Sequence, residues 1–205
     1  MKDFPTGFAT QTSTLDEALF KEADAALIRQ LSDKGYAVHA GLTAKYAGDI
    51  MQMCLQPSIK EYCPNDCGRR FKDLEAAKQW LAKGRAAFLL VHKTNNSLVG
   101  YGWAGRETSP HVPGGETTFA IRIGESHQGQ GLSTPYLRLI IAATAAIYGA
   151  RNIWLETWAS DAAAVHIYHK LGCIDVNQVE DQRPTADGST MSDTRLYMSL
   201  PNDRL

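Results

Sequence analysis

One stretch constrains the fold of this chain more than any other. A run rich in β-branched residues, Thr117 to Ile123, leads into Gly124-Glu-Ser-His-Gln-Gly-Gln-Gly131, after which Leu132, Tyr136, Leu139, Ile140, Ala143 and Ile147 recur at helical spacing up to Gly149. The first part predicts a strand and the last a long helix with one apolar face. A strand passing through a glycine turn into such a helix commits the chain to a helix layered on a sheet. The turn also carries chemistry. Several N–H groups at a helix N-terminus lack intrahelical partners and the dipole there is positive, so main chain alone can hold a phosphate if no side chain blocks it. Gly129 and Gly131 remove that obstruction, although a plain tight turn would use the same residues. Two other phosphate loops do not fit. Gly131-Leu132-Ser133 lacks the lysine of an ATP-binding loop, and Thr134 stands where a dinucleotide fingerprint has its third glycine. Pro135 falls in the first helical turn, where a missing N–H costs little.

The flanking sequence fills in the layers. Thr14-Leu-Asp-Glu17 has the form of a capping box and predicts a helix from Leu15 to Asp33, stopped by Gly35. A short strand is expected over Tyr36 to Gly41, then an amphipathic helix through Ile50, Met51 and Leu55 that Pro57 closes. Ser58 to Arg70 reads as a loop, and Leu74, Ala77, Trp80 and Leu81 mark a helix ended by Gly84. Ala87 to Lys93 and Leu98 to Arg106 are strands joined by Thr94-Asn95-Asn96-Ser97, which is hairpin chemistry. Ile153 to Trp158 predicts a strand, Ala162 to Leu171 a helix and Arg195 to Leu200 a last strand. The class is a mixed α/β sheet, and 205 residues with 44% hydrophobic side chains suit one core.

Charge and composition exclude several functions. With 21 basic and 22 acidic side chains the net charge is -1, so no global field favours nucleic acid or an anionic membrane, and neither partner is expected. No run approaches the roughly 18 apolar residues of a membrane span, and MKDFPTGFATQ lacks the order of a signal peptide, which reads as cytoplasmic. Cys54, Cys63, Cys67 and Cys173 are expected as reduced thiols. Cys63-Pro-Asn-Asp-Cys67 is at most half a zinc site, and His127, His166 and His169 lack a carboxylate at fixed spacing, so no metal is expected.

Two segments in order carry a family resemblance. Gln128-x-x-Gly131-x-Ser133 resembles the acyl-CoA loop of the GNAT superfamily of acetyl-CoA-dependent N-acetyltransferases. About thirty residues on, the stretch from Trp154 to Gly172 resembles its second signature, a strand followed by Asn-x-x-Ala-x-x-x-Tyr-x-x-x-Gly-Phe; Asp161 replaces Asn, Ala164 and Tyr168 match, and Cys173 replaces Phe. The likeness is clear over Thr117 to Ile174 and looser from Tyr36, so it implies a GNAT-like domain over residues 35–205 behind a helical extension over 1–34. The implied architecture is a mostly antiparallel mixed sheet flanked by helices.

The resemblance also implies a site. Phe119 to Ile123 and Ile153 to Trp158 would splay apart, with the pantetheine arm of acetyl-CoA between them like an added strand. Main chain at Ile121, Arg122 and Ile123 would meet the thioester end; Gln128, Gly129, Gln130, Gly131, Leu132 and Ser133 would meet the diphosphate; Asp161 and Ala164 complete the cofactor contacts. Tyr168 is the implied acid for the departing thiolate. A neutral amine is needed for attack, so a carboxylate must take its proton. Glu156 is the first candidate, because the sequence around it is similar to that of ribosomal-protein N-terminal alanine acetyltransferases. Alternation sets it beside Trp154 and Trp158, apolar company that favours the protonated form of a carboxyl; Glu116 and Glu125, acting through a water, are the alternatives.

The expected reaction is acetyl transfer to the primary amine of a small molecule such as an amino acid, polyamine or aminoglycoside-like compound. A peptide N-terminus or lysine as acceptor, and an acyl-CoA-binding domain without catalysis, are the other readings. Specificity is expected from Ser58 to Arg70, Thr108 to Gly115 and the aromatic set Tyr101, Trp103, Trp154 and Trp158. The N-terminal helix can pack on its own sheet or on a second copy, which leaves a homodimer open.

Overall fold

The structure, a computed structural model, describes residues 6–149, 152–185 and 187–201. The outer ends of the expected N-terminal extension (residues 1–5) and of the domain (202–205) lie outside them. Among the described residues the strands are β1 (Ser13–Thr14), β2 (Tyr36–Ala40), β3 (Ala86–His92), β4 (Leu98–Arg106), β5 (Thr117–Ile123), β6 (Ile153–Trp158), β7 (Ile174–Pro184) and β8 (Thr190–Leu200). They form one sheet in the order β1-β2-β3-β4-β5-β6-β8-β7. Every neighbouring pair is antiparallel except β5 and β6. A parallel join needs a crossover, and α5 (Ser133–Tyr148) supplies it.

Alternation along the strands divides the helices between two faces. Phe88, Leu90, Phe119, Ile123, Ile153 and Leu155 point to the face covered by α1 (Glu22–Asp33), α5 and α6 (Ala162–Lys170). Leu89, Val91, Tyr101, Trp103 and Ala120 point to the other face, under α2 (Ala44–Met53), α3 (Pro57–Tyr62) and α4 (Leu74–Leu81). On β6 the same rule sends Trp154, Glu156 and Trp158 toward that second face. The α5 face is anchored by Tyr136, Leu137, Leu139, Ile140 and Ala143, all fully buried, with the Tyr136 hydroxyl donating to the Phe88 carbonyl (2.9 Å). Each large apolar side chain there is worth about 1.5–3 kcal/mol of burial. The helix lies so close to β4 that a Cβ on Gly102 would sit 2.5 Å from Ile140 Cδ1.

Five local expectations are corrected. Thr14 does not cap a helix: it is extended and pairs with His39, and the Leu15 N–H donates to the Val38 carbonyl (2.8 Å). Leu15 is 2% exposed because sheet pairing, not a helical face, buries it. The cap is Asp16, which accepts from the Ala18 N–H and opens only a short 3-10 turn, Glu17–Leu19, before α1. Pro57 does not close a helix but starts α3, where its missing N–H has no intrahelical role. The expected loop from Ser58 to Arg70 is therefore α3 followed by a π-helical turn, Asp66–Arg70. Leu55, expected on an apolar face, is 60% exposed just past the end of α2. Finally, no apolar pattern marks β7, and β8 starts at Thr190 rather than Arg195, because β7 is exposed over most of its length and β8 over its first three residues, so neither stretch shows apolar alternation.

Candidate active site

β5 and β6 pair only at Thr117↔Ile153 and Thr118↔Trp154. Each then follows its other neighbour, β5 pairing with β4 out to Ile123 and β6 with β8 out to Trp158, so the two strands diverge with main-chain groups unspent on the facing edges. The opening runs into a cavity of about 830 Å³. Ile121, Arg122 and Ile123 line one side, Glu156, Thr157 and Trp158 the other.

The glycine loop closes one end. Gly129 and Gly131 adopt φ of +73° and +68°, and a Cβ on Gly129 would meet nothing within 4 Å. No main-chain acceptor among the described residues takes the N–H groups of Gly129, Gln130, Gly131, Leu132, Ser133 or Thr134, whereas the Tyr136 N–H already bonds Leu132. These donors sit at the N-terminus of α5, where the dipole favours an anion. Gln128, Gly129, Gly131 and Ser133 line the cavity, and Thr134 joins them. The Gln128 side chain fastens the loop by donating to the Ile123 carbonyl (3.0 Å).

Two loop side chains point elsewhere. Leu132 is buried in the core, which leaves only its N–H for a ligand. Gln130 faces the N-terminal segment: its Oε1 accepts from the Tyr36 hydroxyl (3.0 Å) and its carbonyl from Lys34 Nζ (2.9 Å). Lys34 and Tyr36 thus brace the loop from a part of the chain that no motif marked.

At the far wall Asp161 caps α6, its Oδ1 accepting from the Ala164 N–H (3.1 Å). Burial raises its pKa, partly offset by that hydrogen bond. Tyr168 is buried edge-on to Phe119, with ring centroids 6.4 Å apart, and lines the cavity. Its hydroxyl has no hydrogen-bond partner among the described residues, and burial pushes its pKa up. Glu156 lines the cavity together with Trp154 and Trp158, and it has a charged partner that alternation did not suggest: Arg195 Nη1 lies 3.0 Å from its carboxylate, and the Arg195 guanidinium carbon lies 3.7 Å from the Trp158 ring centroid. The pairing of β6 with β8 sets Trp158 opposite Arg195, a long-range register that alternation within β6 does not reveal. Glu116 and Glu125 do not line the cavity; the Glu125 carboxylate accepts from the Ser58 N–H (2.8 Å), which lowers its pKa. Of the histidines singled out, His166 lines the cavity and His169 pairs with Asp175 (2.9 Å).

A buried charge cluster backs the side of the cavity under α2 to α4. Asp66, 0% exposed, accepts from Arg70 Nη1 (2.8 Å) and from the Tyr101 hydroxyl (2.7 Å), and lies 3.1 Å from Arg122 Nε. Burial alone would raise the Asp66 pKa; Arg122 and Arg70, with the hydrogen bonds from Arg70 and Tyr101, outweigh it and leave the pKa below the ordinary value. Because the folded pKa is depressed, the stabilisation is present above the unfolded value of about 3.9 and is lost as pH falls through the folded one. Asp66→Ala leaves two confined cations unpaired and is expected to lower unfolding free energy by about 3–5 kcal/mol. Urea denaturation at pH 7 reads this, and a loss below about 1 kcal/mol, the range of an exposed pair, would contradict it.

These features fit coenzyme A: a row of free N–H groups for its diphosphate and an open strand edge for its pantetheine arm. The sequence model of the acetyltransferase (GNAT) family matches residues 55–173, more than half of the chain, and the chain belongs to that family. The [ribosomal protein bS18]-alanine N-acetyltransferase of Escherichia coli is 33% identical over 85 residues, covering 42% of this chain and 55% of that protein. The chain thus spans about half the length of the curated relatives it matches. Among solved structures, the spermidine N-acetyltransferase of Vibrio cholerae, in complex with CoA and spermine, superposes with a TM-score of 0.67 at 17% identity, over 83% of this chain and 98% of that one. The ribosomal-protein-S5-alanine acetyltransferase of Vibrio fischeri gives 0.64 at 15% identity, over 82% and 94%. Likeness at such identity establishes the mixed, mostly antiparallel fold and no substrate. Among the described residues no helix is long and apolar enough to cross a membrane.

Proposed function

We propose that this chain transfers an acetyl group from acetyl-CoA to the primary amine of a small molecule. The observation that carries the reading is the gap between β5 and β6 running to the unspent N–H groups of residues 129–134. When bound, acetyl-CoA supplies an activated thioester. Main chain at Ile121 to Ile123 holds the thioester end, and the loop with the α5 N-terminus holds the diphosphate. Alkyl amines are mostly protonated at neutral pH, so the acceptor must lose a proton before it attacks. Glu156 takes it, as the candidate carboxylate that lines the cavity, with Arg195 fixing its orientation. Tyr168 gives its hydroxyl proton to the departing thiolate sulfur.

Thiol release from acetyl-CoA across a panel of amines tests the reading. Glu156→Gln is expected to lower kcat/KM by about 10- to 100-fold at pH 7, toward the low end of general-base effects because water can carry part of the proton traffic. The deficit should narrow at higher pH, where more acceptor is already neutral. A near-normal rate would move the base to another group. A peptide N-terminus is the second reading, supported by the 85-residue similarity to an N-terminal alanine acetyltransferase; turnover of peptides alone would favour it. Tight CoA binding without any turnover would favour a binding domain.

A further inference from the structure

One guanidinium on the wall of the cavity, that of Arg70, keeps donors that the fold does not use. Asp66 is shared by Arg70 and Arg122, so one carboxylate faces two guanidinium groups, and both arginines line the cavity. Arg122 is directed inward, with Nε at Asp66 and Nη1 donating to the Ile121 carbonyl (2.6 Å). Arg70 is not. It uses Nη1 on Asp66, its side chain keeps 21% exposure, and its other N–H groups meet no acceptor among the described residues. Its guanidinium carbon lies 4.9 Å from the ring centroids of both Trp80 and Trp103, which hold it in place. The buried Trp103 Nε1 beside it also lacks a partner.

The other charged side chains lining the cavity are held by contacts of their own. Glu156 is paired with Arg195, Glu107 with Arg85, and Asp161 caps α6. Trp103, Trp154 and Trp158 supply apolar wall. The carboxylate of Asp161 balances the charge left over where Arg70 and Arg122 share Asp66, so what remains unanswered is not net charge but the fork of free donors at Arg70. A guanidinium fork matches a carboxylate in geometry and charge, and it disfavours a polycation in the same confined space.

Resting on the acetyl-transfer reading, we propose that the acceptor is a small primary amine that also carries a carboxylate, an amino acid rather than a polyamine, with Arg70 binding that carboxylate. Glu156 and Arg70 then serve opposite ends of one substrate, the reacting nitrogen and the anchoring anion.

The test compares thiol release for the L-amino acids, their carboxamides, spermidine and short peptides, using the whole chain. Free acids are expected to exceed their carboxamides in kcat/KM by about 10- to 100-fold, the span of a charge-assisted hydrogen bond. Amine basicity cannot produce this preference, since the carboxamide loses its ammonium proton more readily and would react faster without an anion site. Arg70→Gln should erase the preference while CoA affinity, read by calorimetry, stays unchanged; Arg70→Lys should restore part of it. Equal or better turnover of carboxamides, spermidine or peptides by the wild-type chain would overturn the inference and leave acetyl transfer standing. Silence with every amine while CoA binds would overturn the transferase reading and this inference with it.

Discussion

Gly131→Asp is expected to weaken CoA binding by more than about 100-fold, a loss of about 2.7 kcal/mol. Two effects add. Gly131 has φ of +68°, where an L-residue carries strain of about 1–2 kcal/mol. The new carboxylate would also stand among the N–H donors meant for the diphosphate, and two like charges about 4 Å apart near a protein surface repel by about 4 kcal/mol. Its Cβ would lie 3.3 Å from Lys34 Nζ, so the lysine can pair with the carboxylate and hold it over the loop rather than draw it away. Gly129→Ala is the control: φ is +73° but the space is open, so strain acts alone and the loss should stay near tenfold. Calorimetry at fixed ionic strength reads both, and unchanged affinity for Gly131→Asp would refute the assignment of this loop to the diphosphate.

Tyr168→Phe is expected to lower kcat by about 10²–10⁴-fold, the usual worth of a positioned acid, with little change in CoA affinity. The substitution removes one oxygen and keeps the ring that stands edge-on to Phe119, so packing survives. Burial raises the Tyr168 pKa, which keeps the hydroxyl protonated across the neutral range. The rate deficit should therefore be flat with pH there, unlike that of Glu156→Gln, which shrinks as pH rises. Single-turnover thiol release separates chemistry from product departure. A near-normal rate in Tyr168→Phe would remove the hydroxyl from the acid role.

What the sequence disclosed followed local patterns. The strand, glycine turn and helix over Thr117 to Tyr148 are legible because period two gives way to period 3.6 within one stretch, and β6 and α6 follow for the same reason. The free N–H groups follow from the start of the helix in that stretch, whereas the gap between β5 and β6 was expected on family resemblance alone. Long-range partners stayed hidden. Nothing in the spacing of Arg70, Tyr101 and Arg122 says that a π-helical turn brings Asp66 under all three. The turn of Gln130 toward Lys34 and Tyr36 depends on how α1 and β2 meet the loop, which local pattern does not encode. Thr14 shows the converse: its capping pattern is sound locally, yet pairing with β2 claims the backbone first.

The most direct test of the whole account is a crystal structure of this protein with CoA. The account predicts diphosphate oxygens within hydrogen-bonding distance of the N–H groups of residues 129–134, the pantetheine arm between β5 and β6, and the thiol end reaching toward Tyr168. CoA held at another surface, with those N–H groups left to solvent, would contradict it.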